Sequence, residues 1–72
     1  MSETDANVLL VEDSLSLATA YMEYLAKQPY RVSHVMTGTE ALEAIDCQTP
    51  SVVLLDLELP DMNGREILEH IR

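Results

Sequence analysis

The chain is short of cysteine, of basic residues and of long apolar runs. A single cysteine, Cys47, excludes an internal disulfide framework or a cysteine-rich zinc site and fits a reducing cytosol. The expected place for it is a loop, as a small half-buried side chain. Four Lys and Arg stand against thirteen Asp and Glu, for a net charge of −9. Direct binding to nucleic acid or to an anionic membrane would have to overcome like-charge repulsion, and neither is expected. No apolar stretch approaches the roughly 20 residues needed to cross a bilayer, and the acidic, polar start lacks the basic region of an export signal. A soluble, cytoplasmic chain is expected. No repeat, linker or low-complexity segment is present. At 72 residues the chain is below the usual size of one domain, so it is one domain or part of one.

Hydrophobic patterning then supplies the elements. After a start (1–6) expected to be flexible, residues 7–11 form a continuous apolar run, the pattern of a parallel strand buried on both faces. Ser14 is placed to cap a helix running to about Lys27, where Gln28-Pro29 breaks it. Its apolar residues fall in two stripes, Leu15, Ala18, Met22, Leu25 and Leu17, Tyr21, Tyr24, which is more than one sheet face needs and implies a second neighbour. Residues 31–36 alternate as an edge strand does, with Val32, His34 and Met36 on one side and Val35 on the other. Thr37-Gly38-Thr39-Glu40 has capping-box spacing and predicts a short helix that Gln48-Thr49-Pro50 closes. Residues 51–57, flanked by Pro50 and Pro60, predict a central parallel strand. A loop over 58–63 follows, then a helix from Gly64 with Ile67, Leu68 and Ile71 spaced for one face. Strand and helix alternate throughout, which argues for an open α/β sheet with right-handed crossovers. With three strands the last edge stays open and an apolar patch is expected.

The chemistry lies in the acids that end the strands. Glu12 and Asp13 close Val8-Leu9-Leu10-Val11, and Asp56 closes Val52-Val53-Leu54-Leu55. If both runs are strands of one parallel sheet, all three carboxylates converge at the edge where such sheets bind ligands. Neighbouring strands lie about 4.8 Å apart, and two like charges about 4 Å apart repel by about 4 kcal/mol at an effective dielectric near 20. A hard divalent cation relieves this, and Mg²⁺ favours one or two carboxylates together with phosphate oxygens. A carboxylate held there can attack a phosphoryl group to form an acyl phosphate. Asp56, alone at its strand end, is the better nucleophile, and Glu12 and Asp13 are the better metal holders.

Plainer readings compete with these. A solvated strand exit would also suit Glu12 and Asp13, with Asp13 aiding the cap at Ser14, but the third acid at the matching end of another strand argues against it. Asp61 reads as a turn former rather than a ligand. His34 and His70 read as ordinary surface or half-buried residues, and Tyr21, Tyr24 and the methionines as core or interface. A calcium loop beginning at Asp56 fails, since an EF-hand needs an acid or amide where Pro60 stands, Gly where Asp61 stands and Glu where Ile67 stands. A phosphatase with an aspartate nucleophile normally has a second Asp two residues on, where this chain has Glu58.

Val8-Leu9-Leu10-Val11-Glu12-Asp13-Ser14 and Leu54-Leu55-Asp56-Leu57-Glu58-Leu59-Pro60-Asp61-Met62-Asn63-Gly64 together resemble the two N-terminal signatures of the receiver domain of two-component response regulators. The resemblance covers nearly the whole chain from Asn7. It implies a flavodoxin-like receiver fold, here the first three βα units with strand order 2-1-3, so that residues 1–72 are the N-terminal part of a single receiver domain. It implies that Asp56 is the phosphoacceptor, Asp13 a direct Mg²⁺ ligand, Glu12 a ligand mostly through water and Glu58 a ligand through its backbone carbonyl, with Pro60 and Gly64 shaping the loop. The implied partners are a histidine kinase or phosphotransfer protein and an output module controlling transcription, with no enzyme activity on a separate substrate. The Glu-Asp pair and Tyr21-x-x-Tyr24-Leu25 resemble receivers of NtrC-class regulators, quorum-sensing members among them, in which an ATPase module acting on sigma-54 polymerase and a DNA-binding module follow.

Receivers use five strands, and the later ones supply a switch Ser or Thr and an essential Lys, positions that lie beyond Arg72. The segment by itself is therefore expected to be switch-incompetent and a poor phosphoacceptor with weak Mg²⁺ affinity. The rival expectation is an interaction module that self-associates, as a homodimer, through its open strand edge.

Overall fold

The computed structural model describes residues 6–72. The flexible start expected for 1–6 lies outside the described residues except for Ala6, which opens the first strand. Six elements alternate: β1 (Ala6–Val11), α1 (Leu15–Leu25), β2 (Tyr30–Val35), α2 (Gly38–Cys47), β3 (Val52–Leu55) and α3 (Gly64–Ile71). The strands form one parallel sheet in the order β2-β1-β3. The chain steps from β1 outward to β2, then back across β1 to β3. Right-handed crossovers in opposite directions put α1 and α2 on opposite faces of the sheet.

β1 is the central strand because its apolar run is continuous. Val8, Leu9, Leu10 and Val11 are all buried, as a strand covered on both faces requires. On one face Leu9 and Val11 pack with Ala41 and Ile45 of α2 and Ile67 of α3. Val35, Val53, Leu55 and Met62 close around that core.

The opposite face is only partly covered. Of the first stripe of α1 only Ala18 and Leu25 are buried; Leu15 and Met22 are exposed, as is the whole second stripe, Leu17, Tyr21 and Tyr24. The sequence predicts a second neighbour for α1, and its surface faces none among the described residues. Residues 51–57, predicted as a central strand, shorten to Val52–Leu55 and stand at the sheet edge, with alternate residues Val52 and Leu54 exposed. A strand paired on one side and covered on one face alternates in burial, whatever its composition.

Most caps follow the sequence. Ser14 Oγ accepts from Leu17 N at the start of α1. The helix ends at Leu25, short of Lys27, because Lys27 N and Gln28 N donate to Tyr24 O and Leu25 O in a tightened last turn. At α2, Thr37 Oγ1 accepts from Glu40 N (3.2 Å), but Glu40 Oε1 accepts from Met36 N (3.1 Å), one residue before the cap expected for it. The reciprocal capping box is instead at α3, where Asn63 N donates to Glu66 Oε2. Only Ile67 of the three apolar residues assigned to one face of α3 is buried, while Leu68 and Ile71 are exposed. Cys47 ends α2 and is exposed, not half-buried in a loop. No described helix is long and apolar enough to cross a membrane.

Candidate functional site at the C-terminal edge of the sheet

The register of the sheet assembles the site. Val11 lies opposite Val35 on one side and Leu55 on the other. The ladder runs one step further on both sides, with Glu12 N donating to Val35 O (3.1 Å) and Asp56 N donating to Val11 O (3.0 Å). Glu12 and Asp56 therefore leave neighbouring strands at the same level. Carboxylate oxygens of Glu12, Asp13 and Asp56 lie within 4.8 Å of one another, a grouping of potential metal ligands found among the described residues.

Each acid is held differently. Glu12 is buried, with 7% of its surface exposed. Its Oε2 accepts from Ser14 N (3.1 Å), and its backbone carbonyl accepts from His34 Nε2 (2.9 Å). Asp13 is exposed and Asp56 half-buried. Asp56 Oδ1 accepts from Glu58 N (3.0 Å). The Glu58 carboxylate is not part of the acid group. Its backbone lies opposite Asn63 in an antiparallel bridge, flanked by Leu59 N to Met62 O and Gly64 N to Leu57 O.

The 58–63 loop owes its shape to two contacts. Gly64 is buried, and a Cβ there would stand 2.8 Å from Asp56 O and 2.9 Å from Leu57 Cα, so glycine lets α3 start directly against the end of β3. Asp61 at the loop tip accepts from Gly38 N (2.7 Å), Thr39 N (2.9 Å) and Thr39 Oγ1 (2.8 Å) at the start of α2. The backbone N–H of Gly38, then that of Thr39 and its hydroxyl, hold the Asp61 carboxyl below its ordinary pKa. Asp61 is neither a simple turn former nor part of the acid group. Its bonds reach residues far away in the chain, so no local spacing reveals them. His70, on α3, meets Asp46 of α2 at 2.7 Å and braces the two helices.

The donor set fits a hard divalent cation. It consists of carboxylate oxygens crowded at one strand edge, whose mutual repulsion such an ion relieves. Glu12 and Asp56, with Glu58, line an open cavity of about 690 Å³ together with Leu10, Leu17, Tyr21, Leu54 and Leu57.

Comparison with known proteins agrees with this architecture. Residues 8–72 match the response regulator receiver domain family. The regulatory protein LuxO of Vibrio cholerae is 40% identical over 63 residues, covering 88% of this chain and 14% of LuxO. Sporulation initiation phosphotransferase F of Bacillus subtilis is 31% identical over 65 residues, covering 90% of this chain and 52% of that protein. The crystal structure of the signal receiver domain of a putative LuxO repressor protein from Vibrio parahaemolyticus superposes with a TM-score of 0.90 at 46% identity, covering 93% of this chain and 52% of that one. The chain thus spans about half of a solved receiver domain and a seventh of its LuxO relative. On its sequence, its strand order and the acids at its sheet edge, the chain belongs to the response regulator receiver domain family.

Proposed function

We propose that the chain is the N-terminal part of a single receiver domain, which takes a phosphoryl group on Asp56 from a histidine kinase or phosphotransfer protein. The observation that carries this reading is the meeting of Glu12, Asp13 and Asp56 within 4.8 Å at the end of two adjacent parallel strands. Asp13 and Glu12, with the Asp56 carboxylate and the Glu58 carbonyl, would hold Mg²⁺. The bound ion supplies the positive charge that lets an anionic carboxylate approach an anionic phosphoryl group.

The chain's own groups orient the attack. Glu58 N–H holds Oδ1 of Asp56, which sets the direction of the second oxygen. A carboxylate oxygen of Asp56 bonds to phosphorus as the P–N bond of a phosphohistidine breaks, and the bonding pair leaves with the imidazole. The product is an acyl phosphate on Asp56. In the longer protein, the change would pass to an output module. The output we propose controls transcription in quorum sensing, in the cytoplasm; the similarity to proteins named as LuxO regulatory proteins supports a regulatory role. The chain is not an enzyme acting on a separate substrate in this reading.

The test is incubation with Mg²⁺ and a small acyl phosphate donor, followed by mass spectrometry. A phosphoryl mass on Asp56 that Asp56→Asn abolishes supports the assignment. Label that persists in Asp56→Asn refutes it.

A second reading, self-association as a homodimer, draws on the outer edge of β3, unpaired among the described residues, beside exposed Leu17, Tyr21, Leu54 and Leu57. The net charge of −9 opposes it. Light scattering over a range of concentrations separates the two: a mass that doubles with concentration favours association, and a constant monomer mass excludes it.

A further inference from the structure

Asp61 lies outside the acid group, yet its carboxylate takes three hydrogen bonds from Gly38 and Thr39. These bonds join the two flanks of the site. On one flank, β2 anchors Glu12 from both sides of its peptide: Val35 O accepts from Glu12 N, and His34 Nε2 donates to Glu12 O. α2 begins three residues after β2 ends, so its first turn follows that anchor closely. On the other flank, the loop after β3 is cross-linked by Gly64 N to Leu57 O (2.9 Å) and Leu59 N to Met62 O (3.3 Å). These bonds tie the segment from Leu57 to Gly64 into one cross-linked piece. Glu58, inside that piece, supplies the N–H that holds Asp56 Oδ1.

We propose that Asp61 is a positioning residue for the phosphoacceptor, clamping the loop tip to the N-terminus of α2 and thereby keeping the Glu58 N–H on the Asp56 carboxylate. The inference rests on the reading of Asp56 as phosphoacceptor. Loss of the clamp frees the loop tip without touching the ladder bond from Asp56 N to Val11 O or the carboxylates of Glu12 and Asp13. The expected signature is local: the carboxylate of Asp56 loses its fixed direction while its backbone stays in the sheet. Met62, packed over Gly38, is the second contact at the same junction and limits how far the tip can travel.

The experiment compares the wild-type chain with Asp61→Ala, Asp61→Asn and Thr39→Val. It reads labelling of Asp56 by a small acyl phosphate donor, normalised to the folded fraction, and hydrogen exchange at the amides of Glu58 and Asp56. Asp61→Ala should slow labelling by about tenfold, as loss of orientation without loss of the reacting groups does. It should speed exchange at Glu58 and leave Asp56 N–H unchanged. Asp61→Asn, which keeps one acceptor oxygen, should recover part of both effects. Thr39→Val removes one donor and should give a smaller change that disappears when Asp61 is already Ala. Wild-type labelling and unchanged Glu58 exchange in Asp61→Ala would overturn the proposal, as would a Thr39→Val effect that adds in full to it. If Asp61→Ala does not fold, Asp61→Asn and Thr39→Val carry the same comparison. Label that persists in Asp56→Asn, with Glu58 exchange still faster in Asp61→Ala, refutes the phosphoacceptor reading and sustains the clamp.

Discussion

Replacing Gly64 by alanine tests how tightly the site is built. A Cβ at this position would lie 2.8 Å from Asp56 O, 2.9 Å from Leu57 Cα and 3.2 Å from Leu57 Cδ2. Carbon atoms in contact settle at about 3.5–4.0 Å, so the end of β3 or the start of α3 must shift. The two closest atoms are backbone, and no rotamer change relieves them. Overpacking of this kind costs about 1–3 kcal/mol. Alanine returns about 0.4–1 kcal/mol by restricting the unfolded chain, since Gly64 does not have positive φ. The net loss is about 1–2 kcal/mol, against the roughly 3–5 kcal/mol that a core of this size supplies. With a urea m-value near 1 kcal/mol/M, the midpoint should fall by about 1–2 M. Circular dichroism during urea titration measures it. Gly38→Ala probes the junction between α2 and the loop instead: the three atoms nearest a Cβ there are Cγ, Sδ and Cε of Met62, so that side chain must leave its packing and this variant should also be destabilised. A Gly64→Ala chain as stable as the wild type would refute the close packing of α3 on the acid-bearing strand end.

Other consequences follow from the same contacts. The folded pKa of Asp61 lies below its ordinary value of 3.8, so its contribution to stability is present above that value and is lost as pH falls through the lower folded pKa. The stability gap between wild type and Asp61→Asn should therefore be constant near neutral pH and close below about pH 4; a gap that widens on acidification contradicts the clamp. Ile67→Ala empties a fully buried position between α3 and the sheet and should cost about 2–5 kcal/mol. His70→Ala removes an exposed contact to Asp46 and should cost less than about 1 kcal/mol. Urea midpoints for the pair check the order, and a reversed order would mean that α3 is held by its surface contact rather than by its core.

The strand ends were legible because their signals are local and strong. A fully apolar run ending in acids marks a buried parallel strand and its ligand edge together, and residues 8–13 and 52–56 carry that pattern without interruption. The inner and outer positions of strands were harder to read. The run around Leu54 is as apolar as the run around Leu9, and only the order β2-β1-β3 exposes one and buries the other. The excess apolar face on α1 was visible in its spacing, and the structure leaves that face uncovered. The role of Asp61 could not be read locally, because its partners are 22 and 23 residues away and exist only once α2 and the loop after β3 are side by side. The capping box at Asn63 and Glu66 had the correct spacing but was hidden by its place after a Pro-containing loop.

The proposed Mg²⁺ pocket is built from Glu12, Asp13 and Asp56. A Mg²⁺ titration followed residue by residue with ¹⁵N-resolved NMR tests it most directly. The expected result is saturable shifts at the amides of residues 12, 13, 56 and 58 that fit one dissociation constant, weakened in Asp13→Asn and in Asp56→Asn. Shifts that never saturate, or that spread equally over exposed acids such as Glu43, Asp46 and Glu69, would contradict it.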